Sequence, residues 1–194
     1  MTACAAALVL LMDVSGSIGA ADWRLQVDGH AEAIRAPAIL RQVEAGGLDV
    51  TAVQFDHNAR VVLPWRVLRT AQDAQDAAEA IRGMERTGAG MTATSAALEA
   101  AEAALDAAPC GDREVVDLVT DGPPNAGDDT EPVRQRLIAR GAQVNGLSVG
   151  RDAADWMRES VVSPFGFALA VEDWAGFAAA MRRKLVMELT WSAR

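Results

Sequence analysis

The sequence predicts an α/β fold: a single doubly wound, mostly parallel sheet flanked by helices. Apolar segments of strand length alternate along the chain with segments of helical periodicity, which is the pattern of β-α-β units. The first apolar segment, ALVLLM at 7–12, is uninterrupted, as expected for a central strand with helices on both faces. The chain has 194 residues, 51% of them hydrophobic, and shows no repeat or linker. We therefore expect one domain over 1–194.

The order of elements follows from apolar spacing and from turn residues. After the first strand, apolar residues recur at helical spacing as far as Ile34, and Pro37 follows this helix. The segments 48–56 and 59–65 flank the turn sequence Asp-His-Asn and predict a hairpin, in which Pro64 favours an edge position. The predicted strands are 6–13, 48–56, 59–65, 113–121, 142–150 and 167–171. The predicted later helices are 70–84, 92–108, 131–141, 152–161 and 173–191.

Composition excludes several classes of function. The net charge of -9 argues against nucleic-acid binding, which needs clustered Lys and Arg. No apolar run reaches the roughly 18 residues of a membrane-spanning helix, so we expect no membrane insertion. The N-terminal sequence MTACAAALVLLM has no basic residue before Arg24 and continues directly into Asp13. We interpret it as a strand of the fold and expect no signal peptide within this chain.

Three loops carry oxygen-bearing side chains at the predicted carboxyl edge of the sheet. Asp13 and Asp121 each end an apolar strand and begin a glycine-containing loop, DVSGSIG and DGPPNAG. A third loop, GAGMTAT at 88–94, offers Thr92 and Thr94. Sites in open parallel sheets lie at the carboxyl ends of the strands, so these loops should meet. Carboxylates and hydroxyls without His or Cys suit Mg²⁺, or Mn²⁺ and Ca²⁺, better than zinc or copper.

The spacing within the first loop has two interpretations. Asp13, Ser15 and Ser17 alternate, so their side chains can converge on one side of an extended loop. Alternatively, Ser15 or Ser17 caps the next helix, and Asp13 accepts hydrogen bonds from loop N–H groups. The second Asp-Gly pair and the threonine loop favour the metal site.

This three-part pattern resembles the von Willebrand factor type A (vWA) domain, whose metal-ion-dependent adhesion site (MIDAS) combines a D-x-S-x-S loop, a threonine and an aspartate. GMTATSAAL is similar to the family's G-G-T-x-x-x-x-A-L, with Met91 in place of a glycine. The resemblance implies a sheet order of 3-2-1-4-5-6 with 59–65 antiparallel at one edge. The residues that match the metal site are Asp13, Ser15, Ser17, Thr92 and Asp121.

A closer resemblance is to an uncharacterised bacterial branch of vWA proteins. The segments that carry it are LVLLMDVSGSI, VVLPW, VNGLSVG and DWAGFAAAMRRKLVMEL. Members of this branch typically carry export signals, which implies a periplasmic or secreted protein. The stretch VVSPFGFAL at 161–169 departs from the branch in its glycines, so no role is transferred to that loop. The branch has no established function.

The resemblance and the oxygen donors together predict a metal-ion-dependent protein-binding module that is not an enzyme. A divalent cation with five protein groups keeps a position that an Asp or Glu of an unknown partner protein could occupy. No residue of the chain is placed for acid–base work on a bound substrate. The alternative is a structural metal-bearing scaffold domain of an envelope assembly, in which nothing takes that position.

Enzymatic interpretations fit the sequence less well. GLSVG at 146–150 matches the G-x-S-x-G nucleophile motif, but such hydrolases need a histidine after the serine, and His30 and His57 both precede Ser148. A haloacid-dehalogenase-type phosphatase needs an acid at the position of Ser15. A dinucleotide-binding loop would need a third glycine where Asp22 stands. A Mg-dependent hydrolase or phosphatase therefore stays a remote alternative.

The chain's two cysteines are predicted to lie near the sheet edge opposite the metal site. Cys4 and Cys110 precede the first and fourth strands, which are parallel neighbours in the expected sheet. A disulfide is feasible if the stagger of these strands is small. We expect this bond, in keeping with export, and two buried thiols are the alternative.

Overall fold

A computed structural model describes residues 4–110 and 112–190. The strands are β1 (Ala6–Asp13), β2 (Leu48–Phe55), β3 (Ala59–Leu68), β4 (Glu114–Thr120), β5 (Gln143–Val149) and β6 (Ala168–Val171). They form one six-stranded sheet in the order β3-β2-β1-β4-β5-β6. Strand β3 pairs antiparallel with β2, and all the other neighbouring pairs are parallel. The predicted fold class, strand order and antiparallel edge strand are confirmed.

The helices are α1 (Ala20–Ile34), α2 (Pro37–Gly46), α3 (Ala71–Arg82), α4 (Thr94–Asp106), α5 (Glu131–Ala139), α6 (Arg151–Ser160) and α7 (Phe177–Thr190). Helix α2 was not predicted, because Pro37 was interpreted only as the end of α1. Proline at the first helical position instead starts a new helix, since its missing N–H needs no partner there. Among the described residues, no helix is both long and apolar enough to cross a membrane.

Two element boundaries differ from the sequence prediction by three residues or more. Strand β3 continues to Leu68, three residues beyond its predicted end, because Pro64 lies on the edge strand where irregular register with β2 is tolerated. The predicted terminal helix 173–191 begins instead with a 3-10 turn over Trp174–Gly176, in which the Asp173 carboxylate accepts a hydrogen bond from the Gly176 N–H at 3.1 Å. Trp191, at the end of that prediction, lies outside the described residues.

The central strand β1 is buried on both faces, which explains its uninterrupted apolar sequence. Leu8 and Leu10 point into a cluster formed with α1, α2, α3 and α7. Val9 and Leu11 point into a second cluster, formed with α4, α5 and α6. Packing on both faces holds β1 in place in the sheet. It therefore also fixes the position of Asp13 at the carboxyl end of this strand.

Helix α7 packs tightly against α1. A Cβ atom at Gly29 would lie 2.6 Å from the Phe177 ring, so glycine in the middle of α1 permits this close approach. His30, the next residue, is buried and its ring centroid lies 5.5 Å from that of Phe177. The Nδ1 atom of His30 lies 2.7 Å from the Gln26 carbonyl oxygen, so this histidine belongs to the core.

A buried charge cluster joins α7 to the centre of the sheet. The Lys184 side-chain nitrogen contacts the carboxyl groups of Asp117 on β4 and Glu188 on α7, and all three side chains are fully buried. Burial, and then the neighbouring Asp117 carboxylate, raise the pKa of Glu188 to about 8. The cluster was not predicted, because in sequence these residues look like ordinary polar positions on a strand and a helix.

Cys4 and Cys110 form a disulfide at the amino edge of the sheet, with their Cα atoms 6.0 Å apart. The pairing predicted from the neighbouring strands is confirmed. The stagger is small, since Ala7 on β1 aligns with Glu114 on β4. The buried Asp49 side chain lies beside the disulfide, with its carboxylate 2.8 Å from the Arg69 guanidinium.

Candidate metal centre

Four of the five predicted metal ligands form one hydrogen-bonded chain at the carboxyl edge of the sheet. One Asp13 carboxylate oxygen accepts the Ser15 N–H at 2.7 Å. The Ser15 and Ser17 hydroxyl oxygens lie 3.1 Å apart. The Ser17 hydroxyl donates to the Asp121 carboxylate at 2.7 Å. The loops after β1 and β4 therefore meet through the side chains that the sequence singles out.

The serines do not cap the helix that follows them. Gly19 is the N-cap residue of α1, and no side chain accepts a capping hydrogen bond at this position. The Asp22 carboxylate instead accepts the Gly19 N–H at 3.2 Å. The capping interpretation of Ser15 and Ser17 is therefore wrong: the Ser17 hydroxyl donates to the Asp121 carboxylate, and the Ser15 hydroxyl lies against that of Ser17.

The threonine loop is held between the other two loops by its backbone. The Gly16 N–H donates to the Gly90 carbonyl at 2.8 Å. On the other side, the Thr92 N–H donates to the Asn125 side-chain oxygen at 2.7 Å, and the Thr92 carbonyl accepts the Asn125 N–H at 3.0 Å. Thr92 is only 4% exposed. The structure thus brings the loops of all five predicted residues together.

The second threonine of this loop, Thr94, has a different place. It is the first residue of α4 and is fully buried. Its hydroxyl oxygen has no hydrogen-bond partner within the described residues. Thr94 therefore belongs to the start of α4, and Thr92 is the threonine that lies in the loop itself.

Several supporting residues were not predicted as part of the site. The Thr120 hydroxyl donates to the second Asp13 oxygen at 2.5 Å. The Arg86 guanidinium donates to the Ser15 carbonyl at 2.6 Å, and the Gln26 amide donates to the Asp13 carbonyl at 3.1 Å. Thr120 precedes Asp121 directly and could have been inferred from that neighbourhood. Gln26 lies on α1 and Arg86 in the connection between α3 and α4, and neither carries a sequence signal.

The Asp56 carboxylate anchors the threonine loop by accepting hydrogen bonds from its backbone. Burial alone would raise the pKa of this carboxyl, but hydrogen bonds from the backbone N–H groups of Asn58, Gly90 and Ala89 hold the pKa below its usual value. His57 lies beside Asp56 at 3.3 Å and is largely exposed. A Cβ atom at Gly90 would collide with the His57 ring and lie 3.0 Å from the Asp56 carboxylate, so a larger residue would require these side chains to shift.

The electrostatics of the site fit a cation. Burial, and to a smaller extent the neighbouring Asp121 carboxylate, raise the pKa of Asp13 to about 6, against the hydrogen bonds from Thr120 and Ser15. Within the described residues, no Lys, Arg or His side chain forms an ion pair with Asp13 or Asp121. Two neighbouring carboxylates with three hydroxyls at one edge are the donor set of a hard divalent cation.

Ser148, the serine of the G-x-S-x-G motif, has a structural role. It is fully buried in β5, and its hydroxyl donates to the Gly150 carbonyl at 2.7 Å. Gly150 then adopts a positive φ of 95° at the start of α6. The hydroxyl therefore stabilises the strand end, and it is not presented on an exposed nucleophile turn.

The sheet order, the antiparallel edge strand and the three converging loops define a protein with the vWA fold. The chain belongs to a family of proteins of unknown function (DUF1194), whose model matches residues 3–193. No curated protein matches the chain in sequence.

Solved structures show the same fold. Proximal thread matrix protein 1 from the mussel byssus superposes with a TM-score of 0.80 at 22% identity, over 97% of this chain and 49% of that chain. A second structure of that protein has a zinc-occupied MIDAS motif, with a TM-score of 0.80, 21% identity, and coverage of 97% and 48%.

Two further solved structures share the fold. The von Willebrand factor type A protein from Catenulispora acidiphila gives a TM-score of 0.74 at 20% identity, over 96% of this chain and 43% of that one. The manganese-loaded TRAP protein of Plasmodium vivax gives 0.61 at 19% identity, over 94% and 74%. The chain spans about half the length of the mussel protein chains it matches.

Proposed function

We propose that Asp13, Ser15, Ser17, Thr92 and Asp121 hold one divalent cation, and that this cation binds a carboxylate of a partner protein. The observation that carries the proposal is the hydrogen-bonded chain from Asp13 through both serines to Asp121, with the Thr92 loop tied to it. The donors lie together on loops fixed by other contacts, so a cation would find the ligands assembled.

The donor chemistry favours Mg²⁺. Carboxylate and hydroxyl oxygens are hard ligands, and the site contains no thiolate or imidazole. The zinc of the mussel protein and the manganese of the Plasmodium protein support a divalent cation here. Mn²⁺ shares the preference of Mg²⁺ for oxygen ligands, so it would serve as a spectroscopic substitute.

A carboxylate is the partner group that this chemistry favours. Five protein groups leave an octahedral cation with a coordination position for an outside ligand. Gly16 and Ser17 are exposed, so that position would be open to a macromolecule. The protein carries a net charge of -9 and would otherwise repel an anionic group. The bound cation reverses the sign of the field at this point.

We propose binding without catalysis. Ser148 is buried and committed to the Gly150 carbonyl. His30 is buried in α1, and His57 lies against the Asp56 carboxylate, whose oxygens already accept loop N–H groups. Neither histidine hydrogen-bonds a predicted metal ligand among the described residues. We further propose a periplasmic or secreted location, because a Cys4–Cys110 disulfide persists in an oxidising compartment.

A pull-down from the native source tests the proposal. The immobilised protein should retain a partner in Mg²⁺ or Mn²⁺, release it in EDTA and bind it again when metal is restored. The Asp121→Ala variant should retain none, and replacing one acidic residue of the partner by Ala should abolish binding. Full-strength binding by metal-stripped protein would contradict the proposal. Metal-dependent stabilisation with no partner would instead favour the structural scaffold.

A further inference from the structure

We infer that the partner presents its carboxylate next to an apolar side chain, and that Met91 is the residue that contacts this apolar neighbour. The inference rests on the proposed function and adds a specificity element to it. Met91 directly precedes Thr92, so one loop would supply both a metal ligand and an apolar contact.

Met91 is an exposed apolar residue in the threonine loop. Its exposed fraction is 56%. It is the one large exposed apolar residue, within the described ranges, that lies in a loop carrying a predicted metal ligand. The other large exposed apolar residues are on α1, on edge strand β3 and in the loop before β6: Leu25, Val61, Val67 and Phe165.

The backbone on both sides of Met91 is fixed. The Gly90 N–H donates to the Asp56 carboxylate at 3.1 Å, and the Gly90 carbonyl accepts the Gly16 N–H at 2.8 Å. On the other side, both backbone polar groups of Thr92 bond to Asn125. The Met91 side chain therefore extends from a loop whose backbone is already held in place. Binding would not have to order this loop, so the entropic cost of the contact is smaller.

The chemistry of methionine suits this role. Its side chain is unbranched and polarisable, and it adapts to apolar groups of different shape. Consecutive residues of an extended peptide are about 3.8 Å apart at their Cα atoms, so a carboxylate on the cation and an apolar side chain on Met91 can come from nearby positions. The cation would supply the charged contact, and Met91 would exclude water beside it.

Selection from a random peptide library tests the inference. The wild-type protein is immobilised in Mn²⁺, and displayed peptides are eluted with EDTA. The expected consensus is an Asp or Glu with an apolar residue within two positions. A selected peptide should bind Met91→Ser about tenfold more weakly than wild type, which corresponds to about 1.4 kcal/mol. The Mn²⁺ affinity of Met91→Ser should be unchanged.

The control variant is Phe165→Ser, which removes an apolar side chain of 83% exposure outside the metal-site loops. It should bind the peptide like wild type. Peptides that elute with EDTA but have no apolar neighbour and bind Met91→Ser as well as wild type would overturn the inference about Met91. The proposed metal-dependent binding would still stand. If no EDTA-eluted peptide is enriched, or if Thr92→Val and Asp121→Ala bind as wild type does, the proposed function fails as well.

Discussion

Replacing Glu188 by Gln should change how the stability of the fold depends on pH. Glu188 is fully buried with Lys184 and Asp117, and burial raises its carboxyl pKa from the ordinary value of 4.5 to about 8. The folded protein thus keeps a proton on this group over a pH range in which the unfolded chain has lost it. Gln has nearly the shape of the neutral acid and cannot titrate.

The sign and size of the effect follow from proton linkage. Between pH 4.5 and about 8 the folded state binds more protons than the unfolded state, so the stability contributed by neutral Glu188 is complete below pH 4.5 and is lost as the pH rises toward 8. One proton corresponds to at most about 1.4 kcal/mol per pH unit. From pH 5 to 7.5, wild type should lose about 3 kcal/mol relative to Glu188→Gln.

Urea unfolding of both proteins at several pH values measures this difference. Comparing the two proteins cancels the groups they share, including His30, whose pKa is lowered by burial, and Asp13, whose pKa is raised. The two free energies of unfolding should be similar at pH 5 and diverge as the pH rises, with the variant more stable at pH 7.5. Parallel profiles over this range would refute the account of the buried cluster.

Two further changes test other parts of the fold. The double variant Cys4→Ser/Cys110→Ser should lower the free energy of unfolding by roughly 4–5 kcal/mol, because the disulfide closes a long loop in the unfolded chain; urea midpoints equal to those of the oxidised wild type would contradict the bond. Gly166→Ala should destabilise by about 1–3 kcal/mol, because a Cβ there would collide with the Val144 carbonyl. Gly122→Ala, which meets no atom, should unfold like wild type in EDTA, and equal midpoints for both variants would contradict the packing argument.

The fold was predictable because its signals are local. An unbroken apolar strand, alternating helical segments and residues such as Pro64 specify layers and an edge without knowledge of distant contacts. Helix α2 was missed for an equally local reason, since Pro37 both ends one helix and begins the next. Helix α2 is held by its packing against α3 and α7. The apolar spacing of a ten-residue segment does not reveal such contacts, so the sequence did not show that Pro37 begins a helix.

The candidate metal site was predictable only in part. Asp13, Ser15 and Ser17 share one short motif, and Asp121 ends a strand, so topology alone places them at one edge. Arg86, Gln26 and Asp56 hold the same loops, but they act through hydrogen bonds to backbone groups that are distant in sequence. The Lys184 cluster escaped prediction for a similar reason: a lysine at a helical position is normally a solvated residue, and only tertiary packing buries it.

The most direct test of the central claim is the melting temperature measured with and without Mg²⁺ in wild type and Asp13→Ala, with Asp22→Ala as the matched acidic control. Binding to the folded state adds about 2.7 kcal/mol at a Mg²⁺ concentration of 100 Kd, which for a chain of this size corresponds to a rise of roughly 5–10 °C. Wild type and Asp22→Ala should show this rise, and Asp13→Ala should show none. An equal rise in all three proteins would place the cation elsewhere and contradict the account.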